Sequence, residues 1–139
     1  MSDPRIANLA RLLVNYSTQV KPRDKVCIRG TPLEPQATPL IQEIYREVLR
    51  AGGHPYVYAN IEGLRRILLE EGSEEQLRTV EPIVKMFFEE FDVEFRIRSE
   101  SNTRDLAGAD PEHMKIWTQS YTDITKTFAR RYAAGEGFR

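Results

Sequence analysis

The sequence predicts an α/β fold, a small three-layer domain with a mostly parallel sheet of three or more strands and helices on both faces. Short β-branched and aromatic runs alternate with amphipathic helical stretches in the order α, β, α, β, α, α, α, β, α, the pattern of parallel strands joined by right-handed crossovers. The run DVEFRIR, 92–98, sets Val93, Phe95 and Ile97 strictly against Glu94, Arg96 and Arg98. Only one of its faces is dry, which suits an edge strand or a surface meeting something outside this chain. At 139 residues the chain is long enough for one domain with a single sizeable core.

Asp3-Pro4 opens the first helix, because the Asp carboxylate accepts from orphan N–H groups and a proline at the first helical position loses no bond. Ile6, Leu9, Leu12, Leu13 and Tyr16 recur at helical spacing and carry it to about Gln19. KPRD, 21–24, turns the chain into the first strand, KVCIRG, 25–30. The next helix is expected to bury Leu40, Ile41, Ile44, Tyr45, Val48 and Leu49 and to expose Gln42, Glu43, Arg46, Glu47 and Arg50. AGG, 51–53, ends it, since glycine takes the left-handed C-cap conformation without steric cost.

HPYVYAN, 54–60, reads as the second strand. Two short helices follow over 62–72 and 73–80, the second opened by the capping pair Ser73 and Gln76. A further helix turns Ile83, Val84, Phe87, Phe88 and Phe91 inward, and the third strand is 92–98. Asp110-Pro111 repeats the start signal for one last long helix to about Tyr132. Its stripe of Met114, Trp117, Tyr121, Ile124 and Phe128 reads as core, with room for a second role as an interdomain or dimer surface.

Composition narrows the partners. Twenty basic and 21 acidic side chains give a net charge of −1, which offers no global pull towards nucleic acid or an anionic membrane. The single cysteine, Cys27, lies inside an apolar strand and reads as a small buried hydrophobe, with no disulfide available within one chain. The N-terminal stretch lacks the basic and apolar regions of a signal peptide, and no run approaches the roughly 20 apolar residues of a membrane span. A cytoplasmic location is expected.

In open α/β sheets ligands bind beyond the carboxyl ends of the strands, which makes Arg29 and Thr31 candidates for a cleft. A phosphate loop needs several consecutive free N–H groups, whereas Gly30 stands alone and Pro32, Pro35 and Pro39 remove donors. The turn therefore reads as structural. His54 and His113 are the only histidines, no HExxH occurs, and each reads as a surface or cap residue. The acidic runs 70–75 and 89–94 read as solvated faces, and no GxSxG is present. In the long loop 99–111, Asn102, Thr103 and Arg104 bring two short polar groups and a guanidinium to the same edge of the sheet. The competing reading has Asn102 and Thr103 satisfying their own loop backbone and Arg104 pairing with Asp105 or another acid.

Three stretches in order, LARLLVNYSTQVKPRDKVCIRGTPLE (9–34), IYREVLRAGGHPYV (44–57) and NTRDLAGADPE (102–112), resemble the N-terminal domain of the aminopeptidase T family of thermophilic metallo-aminopeptidases. One departure is Arg23, where the family often has a glycine in the turn before the first strand. The resemblance implies a two-domain parent whose divalent metal, zinc, cobalt or manganese, is held by Glu, His, Tyr and Asp side chains of a later domain absent from this chain. It follows that residues 1–139 form one domain with no catalytic, cofactor-binding or metal-binding residue of their own. The expected function is the cleft-forming domain of a metal-dependent aminopeptidase that releases N-terminal amino acids from peptides, silent in isolation. Its partners would be the missing C-terminal catalytic domain, the parent's peptide substrate and a second copy in a homodimer, with neither nucleic acid nor membrane. The alternative is a stand-alone binding or dimerisation module derived from that domain.

Overall fold

In the computed structural model, which describes residues 3–31, 37–98, 108–135 and 139, α1 spans Pro4–Leu12. The Asp3 carboxylate accepts from the Arg5 N–H at 2.9 Å, as the start signal requires. A π-helical turn, Leu13–Ser17, closes the helix, and the Thr18 hydroxyl donates to the Leu13 carbonyl at 2.9 Å. The buried face is not the expected one. Ala10 and Val14 are fully buried, whereas Leu9, Leu12 and Tyr16 are 43%, 51% and 74% exposed. Small side chains at the contact let α1 lie close against the next helix, so its larger apolar residues stay outside.

The strands β1 (Lys25–Thr31), β2 (His54–Ala59) and β3 (Val93–Arg98) form one parallel sheet in the order β2-β1-β3. Parity along β1 builds the two cores. Val26 and Ile28 pack with Val93 and Phe95 beneath α1 and α2 (Thr38–Arg50), through Ala10, Val14, Ile41, Ile44 and Val48. Cys27, on the opposite face, packs with Phe87 and Phe91 and is ringed by Tyr58 of β2, Phe88 of α5 (Pro82–Glu90) and Phe128 of α7 (Thr122–Ala133). Helices on both faces make the predicted three layers. Among the described strands β2 and β3 lie at the outside of the sheet, and β3 keeps the expected alternation, with Val93 and Phe95 buried and Arg96 and Arg98 exposed.

The α2 face is the larger correction. Glu43 and Glu47 are 4% and 6% exposed, while Tyr45 and Leu49 are 41% and 55% exposed. The two glutamates lie at neighbouring turns of one helix face. Arg46 binds Glu43, and Glu47 accepts from Arg50 at 2.6 Å with Arg11 of α1 at 3.8 Å. Tyr45 and Leu49 instead line a shallow groove with Ile41 and Val57.

α3 (Leu64–Glu71), α4 (Glu74–Arg78) and α6 (Pro111–Ser120) pack together at one end, with Leu69 and Leu77 fully buried. Both halves of the Ser73–Gln76 capping box are formed. In α5, Val84, Phe87 and the following Phe91 are buried as expected, but Ile83 falls at the rim of that stripe and is 40% exposed. The expected single last helix is two, α6 and α7, broken at Tyr121. The Ser120 hydroxyl donates to the Trp117 carbonyl there, a local bond that competes with the helical ladder. Of the aromatic stripe only Ile124 is buried, and Met114, Trp117, Tyr121 and Phe128 are intermediate. Among the described residues no helix is long and apolar enough to cross a membrane.

Gly52, at φ +85°, makes the left-handed turn after α2, and its carbonyl accepts from the Arg23 N–H at 2.9 Å. Arg23 itself adopts φ +71°. That is the conformation a glycine would take freely at this turn.

Candidate functional site at the strand switch point

From β1 the chain goes to β2 on one side and later returns to the other side of β1 as β3. The sheet therefore reverses its direction of growth between β1 and β3. Loops leaving the carboxyl ends of strands at such a reversal diverge to opposite faces and open a crevice between them. Thr31, at the end of β1, is opposite Arg98, at the end of β3. The two loops singled out from the sequence thus leave from adjacent strand ends. Asn102, Thr103 and Arg104 themselves lie outside the described residues, and for Thr31 the structure describes the backbone.

Two residues before the end of β1, Arg29 is opposite Tyr58 on one side and Arg96 on the other, on the same sheet face as Cys27 and Glu94. Its guanidinium donates to Glu94 Oε1 at 3.3 Å, and the two side chains are 13% and 10% exposed. Arg96 reaches the same oxygen through Nε at 3.1 Å and Nη2 at 2.9 Å. Glu94 is therefore shared by two cations. Arg29 Nε is buried with no hydrogen-bond partner among the described residues.

Next to this trio the Tyr58 hydroxyl donates to Glu81 Oε2. Burial first, then this bond, push the Tyr58 phenol up to about 12. Burial also raises Tyr121, with the Glu81 charge adding to it. Both phenols consequently stay neutral and can donate at neutral pH. Burial, with the Glu94 charge adding to it, pushes the Cys27 thiol up to about 12, so it packs as a small hydrophobe and is no nucleophile. Two guanidiniums, two carboxylates and two phenols balance in charge. Such a set can orient a polar chain by hydrogen bonds, and it contains no activated nucleophile.

Sequence reasoning singled out Arg29 here and missed Tyr58, Glu81, Glu94 and Arg96 as site residues. The alternation of β3 does put Glu94 and Arg96 on one face, but their meeting with Arg29 depends on β1 and β3 being neighbours. His54 is exposed at the start of β2, and His113 Nδ1 lies 2.6 Å from the Leu69 carbonyl, tying α6 to α3. Among the described residues no three His, Cys, Asp or Glu side chains gather as metal ligands.

The family of thermophilic metalloproteases (M29) matches residues 2–137. No curated protein matches the chain. Among solved structures, wild-type AmpT from Thermus thermophilus has the same fold, with a TM-score of 0.68 at 20% identity over 91% of this chain. The match covers 32% of the AmpT chain, so this chain spans about a third of that relative's length.

Proposed function

Since the chain belongs to the family of thermophilic metalloproteases (M29), we propose that it is the cleft-forming N-terminal domain of a metal-dependent aminopeptidase, without a metal site of its own. The observation that carries this reading is the switch point of the sheet, where the ends of β1 and β3 lie side by side next to Arg29, Glu94 and Arg96. In this reading a divalent metal, held by another domain, supplies the hydrolytic chemistry. The crevice supplies a wall against which a peptide substrate is held.

The residues suit that role. Arg96 is 42% exposed at its side chain, so a passing peptide carbonyl or carboxylate can reach it, and Glu94 holds it in place. Tyr58 and Glu81 form a second fixed pair beside it. The purified chain, mixed with aminoacyl chromogenic substrates and zinc, cobalt or manganese, is expected to show no turnover above the metal alone. Metal-dependent turnover by these 139 residues would overturn the assignment. In the longer enzyme, Arg96→Ala is expected to raise KM several-fold with little change in kcat, the mark of lost uniform binding.

A further inference from the structure

The direction of the crossovers and the position of Arg139 bear on the outer edge of β3. Between β2 and β3 the chain crosses the whole sheet, with α5 on the Cys27 face. After β3 the chain forms α7 on that same face, where Phe128 packs edge-on against Phe88. Parallel crossovers are right-handed in nearly all proteins. A second helix on this face therefore carries the chain onward in the same direction, past β3.

Arg139 stands at that place. Its N–H donates to the Asp92 carbonyl at 2.9 Å, and its own carbonyl accepts from the Glu94 N–H at 2.8 Å. These bonds flank Val93 and have the slanted pattern of a parallel ladder. The Arg139 guanidinium is held by the Asp24 carboxylate and by the Gln19 carbonyl, the latter at 3.1 Å. By the period-two rule the backbone groups of Arg96 and Arg98 point the same way as those of Glu94. No strand lies on that side of β3 among the described residues.

We propose that the outer edge of β3 is the acceptor for a fourth parallel strand, formed by the polypeptide running directly on from Arg139 in a longer protein. The register is set by Arg139 opposite Val93, so the second residue beyond it meets Phe95 and the fourth meets Ile97. The sheet then has the order β2-β1-β3-β4. Residues opposite Phe95 and Ile97 share the apolar face under α1 and α2, and those between stand beside Arg96 and Arg98. The inference rests on the reading that the chain is one part of a longer protein, and it is independent of the chemistry of that protein.

The test is residue-resolved amide hydrogen exchange on the 139-residue chain and on the same chain with a short extension alternating Thr and Val, threonine first. The Arg96 and Arg98 amides are expected to exchange about tenfold or more slowly in the extended chain, with Glu94 slow in both. A valine-first extension, which turns every side chain to the wrong face, should protect them less. Equal exchange at Arg96 and Arg98 with and without the threonine-first extension would overturn the proposal. In the unextended chain, Arg139→Pro removes the N–H that Asp92 accepts and should speed Glu94 exchange about tenfold while leaving Ile28 unchanged. No change at Glu94 would also overturn it. A failed peptidase assay leaves all these rates untouched, so the proposal and the functional reading fail separately.

Discussion

Arg23 adopts φ +71° between α1 and β1. A left-handed conformation costs an L-residue about 1–2 kcal/mol, and glycine returns about 0.5–1 kcal/mol of that through its greater freedom in the unfolded chain. Arg23→Gly is expected to stabilise the fold by up to about 1 kcal/mol in urea denaturation. At the switch point, Arg29→Met leaves the Glu94 carboxylate, 10% exposed, with Arg96 alone. The expected loss is about 3 kcal/mol, and adding Glu94→Gln should recover much of it if the cost is that of a stranded charge. Cys27 and Tyr58 set an alkaline limit. Their protons leave near 9.0 and 10.0 in ordinary surroundings and at about 12 for each in the fold, so the folded state binds them more tightly. Their contribution to stability is whole below about pH 9 and is lost as pH rises through about 12. The denaturation midpoint should fall between about pH 8 and about pH 11, and Cys27→Ala should make that fall shallower.

In α2 the two faces have exchanged parts of their roles. Leu49→Gln is expected to change stability by no more than about 0.5 kcal/mol, whereas Ile44→Ala, fully buried, should cost about 2–5 kcal/mol. Equal losses at the two positions in thermal melts would contradict the observed packing. Helical periodicity correctly found α2 and α5, the glycines of 51–53 correctly marked the end of α2, and capping chemistry correctly marked Asp3, Ser73 and Asp110. It could not tell that Glu43 and Glu47 would be buried, because burial on α2 depends on how α1 packs against it through Ala10 and Val14. Arginines at Arg46, Arg50 and Arg11 then make the burial of two carboxylates tolerable. The break at Tyr121 was hidden for a similar reason. The apolar stripe runs through it unbroken, and only the Ser120 hydroxyl, bonded back to Trp117, marks the place.

For the whole molecule, alternating elements sufficed for the layers and the parallel sheet, while the two-faced pattern of 92–98 left open an edge strand or a surface meeting something outside this chain. Strand order was not legible, and the site depends on it. Arg29 lies far in sequence from Glu94 and Arg96 and meets them only because β3 pairs with β1. The same pairing has a consequence for synthesis on the ribosome. As the chain emerges, β1 first gains β2 through the local α2 connection, while its other edge and the Val93 and Phe95 part of the core under α1 and α2 wait for β3. The Lys25 N–H finds no lasting acceptor until the Asp92 carboxylate arrives, 67 residues later. Closing so long a loop comes late and is slow. During that interval Val26 and Ile28 lie beside an open strand edge, so the central strand, the best protected part of the finished protein, is the segment most in need of shielding while the protein is being made.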